Sequence, residues 1–125
     1  MTGRLFTAAA DHTITLVGGR SPSSGHYHFP LAGLCPYTGA TDVEEVSLPR
    51  TGTLWLWTAV TTAPPGYAGP VPYGFGIVAL DGIDLRVVGR LTVADPDRLH
   101  EGQAMVVVPD RWDDVTTWAF APVAP

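Results

Sequence analysis

The run Tyr73-Gly74-Phe75-Gly76-Ile77-Val78-Ala79-Leu80-Asp81-Gly82-Ile83-Asp84-Leu85-Arg86-Val87-Val88-Gly89-Arg90-Leu91 reads as two strands folded back on each other. Tyr73–Leu80 is the first arm, Asp81-Gly82 is a tight-turn dipeptide, and Ile83–Leu91 is the second arm. Upstream, Thr53-Leu54-Trp55-Leu56-Trp57-Thr58-Ala59-Val60-Thr61 is rich in β-branched and aromatic residues and reads as another strand. The loop Ala63-Pro64-Pro65-Gly66-Tyr67-Ala68-Gly69-Pro70 separates it from Tyr73. Downstream, Asp95 to Gly102 carries an N-cap Asp, a Pro at the first position and a terminal Gly, the marks of one helical turn. Gln103–Val108, stopped by Pro109-Asp110, and Val115–Ala121 complete a set of five strands.

Five short strands with one helical turn between the third and fourth fit a small, partly open barrel of the OB type, with a sandwich of similar strand count as the competing architecture. The chain of 125 residues leaves room for little beyond one domain. Hydrophobic residues at 46% suffice for a core, and 14 glycines with 12 prolines favour turns over long helices. All seven basic residues are Arg, and the formal net charge is −5. That balance disfavours nucleic acid, whose phosphates demand a basic surface. The single Cys excludes an internal disulfide and a multi-cysteine metal site. No run approaches a membrane-spanning length and the first ten residues lack a signal-peptide core, so the expected compartment is the cytoplasm.

The N-terminal third differs. Ile14–Val17 is a candidate strand, but Gly18 to Gly39 contains five glycines and no apolar period of its own. Such a segment must be fixed by a metal or by packing on the barrel. Ser21, Ser24 and Gly25, then Cys35, Thr38 and Gly39, form two X-x-x-X-Gly frames, eleven residues apart from Ser24 to Cys35. This is the spacing of two zinc knuckles, each a tight turn ending in Gly. Three of the four ligand positions hold neutral hydroxyls, so no metal is expected. His26 and His28 alternate on an extended segment near Cys35, and a His-His-Cys site is the weaker option.

Together with Phe29-Pro30, Cys35-Pro36, Gly52-Thr53, Pro72-Tyr73, Leu80-Asp81-Gly82, and Asp95-Pro96 followed by Gly102, these frames resemble the acyl-CoA-associated family that joins a zinc ribbon to an OB fold. The resemblance covers roughly Leu16 to Pro122. It implies an all-β chain: a five-stranded OB-fold barrel over residues 46–125, preceded over residues 1–45 by a rubredoxin-like zinc-ribbon remnant without metal. It implies a non-catalytic accessory subunit of a thiolase-fold enzyme, either a thiolase or an acyl-CoA carbon–carbon lyase, in a heterotetramer. It also implies no tightly bound cofactor, a coenzyme A thioester being reached through the partner.

The residues supply candidates for those contacts. Leu54, Leu56 and Val60 are expected on one face of their strand, and Trp55, Trp57 and Ala59 on the other. Two apolar faces need two covers, one of them a partner surface or the ribbon segment. Trp55, Trp57, Tyr67 in the Pro-rich loop, Tyr73 and Phe29 are the expected partner contacts. Arg86 and Arg90 are four apart on one strand, about 13 Å at ~3.3 Å per residue. They are the candidates for coenzyme A phosphates or partner carboxylates, with solvated arginines as the plain alternative. No nucleophile elbow or phosphate-cradling Gly loop is present, so no catalytic residue is expected. The alternative from another class is a free-standing OB module for single-stranded nucleic acid, which the acidic charge opposes.

Overall fold

The computed structural model describes residues 5–66, 69, 71–112 and 115–123. Among the described residues nine strands follow one another: β1 (Phe6–Ala8), β2 (Ile14–Arg20), β3 (Tyr27–His28), β4 (Glu44–Ser47), β5 (Thr51–Val60), β6 (Tyr73–Leu80), β7 (Arg86–Leu91), β8 (Ala104–Trp112) and β9 (Val115–Pro122). Strands β5-β6-β7-β9-β8 close into a barrel, which excludes the sandwich. The closure is made by β5 against β8 and by a short parallel contact, Leu91 opposite Phe120. Among the described residues no helix is long and apolar enough to cross a membrane.

The expected strands form, with two shifts. The second hairpin arm begins at Arg86 and not at Ile83. Ala79 pairs with Arg86, and the Leu80 amide bonds the Leu85 carbonyl, so the intervening residues form a wide turn. Leu85 is buried there, because its side chain turns into the core while the backbone leaves the ladder. The fourth barrel strand is not stopped by Pro109 but runs on to Trp112. β8 pairs with β5 only over Ala104 to Val106, so Pro109 lies on an open edge where its missing N–H costs no ladder bond. The turn before β8 is a 3-10 turn over Pro96–Arg98, capped by the Asp95 carboxylate, which accepts the Asp97 amide at 3.0 Å.

The N-terminal third is held by packing on the barrel. β2 pairs with β1, β3 and β4 in a small antiparallel sheet. The domain boundary expected between residues 45 and 46 lies within β4. From this sheet Ile14 and Leu16, and after it Leu48, enter one hydrophobic cluster with Leu54, Val78, Val87, Met105, Val107 and Phe120 of the barrel. Arg50 clamps the two parts: its Nε donates to the Ile14 carbonyl at 2.8 Å and its Nη2 to the Val107 carbonyl at 3.3 Å. Tyr27 and Phe29 pack against the same cluster, whereas Leu34 and Tyr37 stay exposed. Two glycines mark close approaches. A Cβ on Gly89 would fall within 2.5 Å of the Trp118 ring, and one on Gly19 would fall on the His28 imidazole.

Candidate docking face

The outer surface of β5, β6 and β7 carries the candidate site. Its geometry begins with a register shift in β5 between Leu54 and Leu56, where the pairing with β6 passes from Val78 directly to Ile77. One residue, Trp55, is left over. A bulge of this kind resets the inward and outward alternation. Leu54 is therefore buried while Leu56 is 54% exposed, and the expectation that they share a face is corrected. Trp55 and Trp57 are likewise parted. Trp57 packs against the core cluster and donates its indole N–H to the Pro96 carbonyl at 3.1 Å, whereas Trp55 stays at the surface.

On β6 the alternation of Tyr73, Phe75, Ile77 and Ala79 with Gly74, Gly76, Val78 and Leu80 sends the second set into the barrel. The same alternation leaves the large side chains at 73, 75 and 77 on the outside, while two of the four inward positions are glycines. Leu56, Ile77 and Val88 then stand side by side across three strands, with Phe75 next to them. Leu56, Phe75 and Val88 are all exposed, and Leu56, Phe75, Ile77 and Val88 line a shallow apolar groove with Trp57 and Thr58. Contiguous exposed apolar residues make this face the candidate interaction surface.

Two cation–aromatic pairs rim this row. The Arg86 guanidinium lies 4.0 Å from the centre of the Trp55 ring, and that of Arg90 lies 4.8 Å from the centre of Tyr73. Arg90 also forms an ion pair with Asp110 at 2.9 Å. Stacking of this kind contributes roughly 0.5–1 kcal/mol at an exposed site and fixes the side chains in place. Arg86 and Arg90 project from the same side of β7, as their spacing predicts, since Val87 and Gly89 between them are buried. Arg86 also borders a second hollow, shared with His26, Tyr37, Asp84 and Leu85, between the N-terminal segment and the barrel.

The structure thus brings together Trp55, Tyr73, Arg86 and Arg90 and sets Phe29 apart. Phe29 meets Trp118 edge-on at 5.6 Å between ring centres, inside the chain. Tyr67 lies outside the described residues. Phe75, Ile77 and Val88 escaped the sequence reading, although the Tyr-Gly-Phe-Gly-Ile pattern shows which face of β6 carries the bulk. Among the described residues, no three His, Cys, Asp or Glu side chains group as metal ligands. His28 is buried, with its Nε2 accepting the Ala32 amide, and His26 meets Tyr37 in a tilted contact at 5.1 Å between ring centres.

Several known proteins resemble this chain. A family model described as the C-terminal OB-fold domain of ChsH2 matches residues 45–109. A DUF35 domain-containing scaffold protein of Pyrococcus furiosus is 31% identical over 93 residues, 74% of this chain and 67% of that protein. A second protein of that name, from Methanocaldococcus jannaschii, is 26% identical over 111 residues, 84% of this chain and 78% of the relative. A chain in the solved structure of the Ltp2-ChsH2(DUF35) aldolase superposes with a TM-score of 0.68 at 26% identity, covering 86% of this chain and 84% of the other. The matched stretch contains β5, β6, β7 and the rimming arginines and takes in just over half of the sequence, so this chain belongs to the family of the ChsH2 C-terminal OB-fold domain.

Proposed function

We propose that this chain is a non-catalytic subunit that docks onto a thiolase-fold enzyme acting on acyl-CoA, through the outer face of β5, β6 and β7. The observation that carries the reading is the exposed row Leu56, Ile77 and Val88 with Phe75, framed by Trp55 beneath Arg86 and Tyr73 beneath Arg90. Aromatic and Arg side chains around an apolar centre match the composition of energetically dominant interface patches. The aldolase assembly that contains a similar chain supports an enzyme as the partner. The relatives named as scaffold proteins support a role without turnover of its own.

In this reading the enzyme supplies the reacting groups, and this chain supplies a preorganised wall. Arg86 is the better placed arginine for a coenzyme A phosphate, because it stands at the mouth of the hollow shared with His26 and Tyr37. Arg90 is committed to Asp110 and holds the edge of the apolar row. A twofold enzyme dimer would present two equivalent sites and give a heterotetramer. The test is co-expression of this chain with a tagged thiolase-fold enzyme that acts on acyl-CoA. The expected result is a stable complex with two copies of each chain. An enzyme that is soluble, active and unassociated in the presence of this chain would contradict the proposal.

A further inference from the structure

The two loops that frame the knuckle spacing share the same three closing bonds, the first loop adding one from the Ser24 amide to the Ser21 carbonyl at 3.2 Å. In the first, the Ser21 amide bonds the His26 carbonyl at 3.0 Å, and the Gly25 amide bonds the Ser21 carbonyl at 2.7 Å. In the second, the Cys35 amide bonds the Ala40 carbonyl at 2.9 Å, and the Gly39 amide bonds the Cys35 carbonyl at 2.8 Å. The Ser24 hydroxyl accepts the His26 amide at 3.3 Å, and the Thr38 hydroxyl accepts the Ala40 amide at 3.3 Å. Gly25 and Gly39 both have φ of 75°, the left-handed conformation that glycine adopts without strain.

The loops also face each other. The Ser24 hydroxyl oxygen lies 3.8 Å from the Cys35 sulfur. Two thiolates on one tetrahedral zinc, each ~2.3 Å from the metal, are also about 3.8 Å apart. Ser21 and Cys35 are almost wholly buried, and the neighbouring Thr38 side chain holds the Cys35 thiol below its ordinary pKa. Yet the donors do not fit zinc. Three neutral hydroxyls and one thiol offer a single soft ligand, whereas structural sites use four thiolates or imidazoles.

A different group holds the first loop. The Asp42 carboxylate, just beyond the second loop, accepts the Ser21 hydroxyl at 2.7 Å through one oxygen and the Ser23 amide at 2.9 Å through the other. It thereby ties the chain leaving the second loop to the heart of the first. Charge-assisted bonds of this type are about twice as strong as neutral ones.

We infer that Asp42 and the Ser21, Ser24, Cys35 and Thr38 side chains form a hydrogen-bonded knot that does the structural work of a zinc ion, on a backbone still set for four thiolates. The inference does not depend on the docking reading, and its tests use the isolated full-length chain. Equimolar zinc or a chelator leaves the melting temperature of the native protein unchanged. Stoichiometric bound zinc, lost with a fall in melting temperature on chelation, would overturn the inference. In Asp42→Ala, and to a lesser degree in Asp42→Asn, amide exchange at Gly25 and Gly39 accelerates at least tenfold. Unchanged exchange at both glycines in both variants would overturn it. The triple variant S21C/S24C/T38C takes up one cobalt ion per chain with the charge-transfer absorption of tetrahedral thiolate coordination, which the native chain does not show. Folding of that variant only in the presence of metal supports the inference equally, and failure to bind metal refutes it.

Discussion

At the scale of single residues, close approach and carbonyl clamping decide most. Gly89 leaves room for the Trp118 ring, which in turn meets both Phe29 and Phe120 edge-on. Gly89→Ala is expected to destabilise by about 1–3 kcal/mol, since the ring is wedged between two others and has little room to yield. A loss below ~0.5 kcal/mol in urea titration would show that the ring moves freely. Arg50 bonds one carbonyl from each part of the molecule, so Arg50→Met should cost about 1–3 kcal/mol in the same measurement. Neither role was legible in the sequence. A glycine in a strand signals a close approach without naming the neighbour, and an arginine between two strands looks like any solvated cation. The Asp42 bonds to Ser21 and Ser23 were hidden for a related reason: their partners are about twenty residues away, and no local pattern reports them.

Among the elements, the strands were the legible part. β6 has the bounds its pattern predicts, and the cap of the 3-10 turn is the one Asp95-Pro96 announces. The bulge in β5 was not legible. Strict alternation of Leu and Trp promises a continuous two-sided strand, and only the partner strand reveals that Trp55 has no opposite number. The consequence is large, because the slip carries Leu56 from the core to the surface and so creates the middle of the exposed row. The double variant Leu56→Asp with Val88→Asp should therefore fold with a stability within about 0.5 kcal/mol of the parent, as surface changes do. It should fail to co-purify with the enzyme. A strongly lowered melting temperature would mean that these two positions belong to the core.

For the whole molecule, the N-terminal sheet and the barrel share one hydrophobic cluster. The Leu48 amide bonds the Leu16 carbonyl, and the Val107 amide bonds the Arg50 carbonyl, on either side of the junction. A shared core predicts one cooperative unfolding transition, with the Leu48 and Val107 amides exchanging at the same free energy. Two transitions, with Leu48 released first, would assign the N-terminal third its own separate stability. On the outer face of β5, β6 and β7, Leu56, Phe75 and Val88 lie outside that core and stand exposed, as the proposed docking requires. Hydroxyl-radical footprinting of the chain with and without the thiolase-fold enzyme tests that assignment most directly. Trp55, Leu56, Phe75 and Val88 should lose reactivity together in the complex, while exposed Leu34 should keep it. Protection confined to other surfaces, with these four side chains as reactive as in the free chain, would contradict the account.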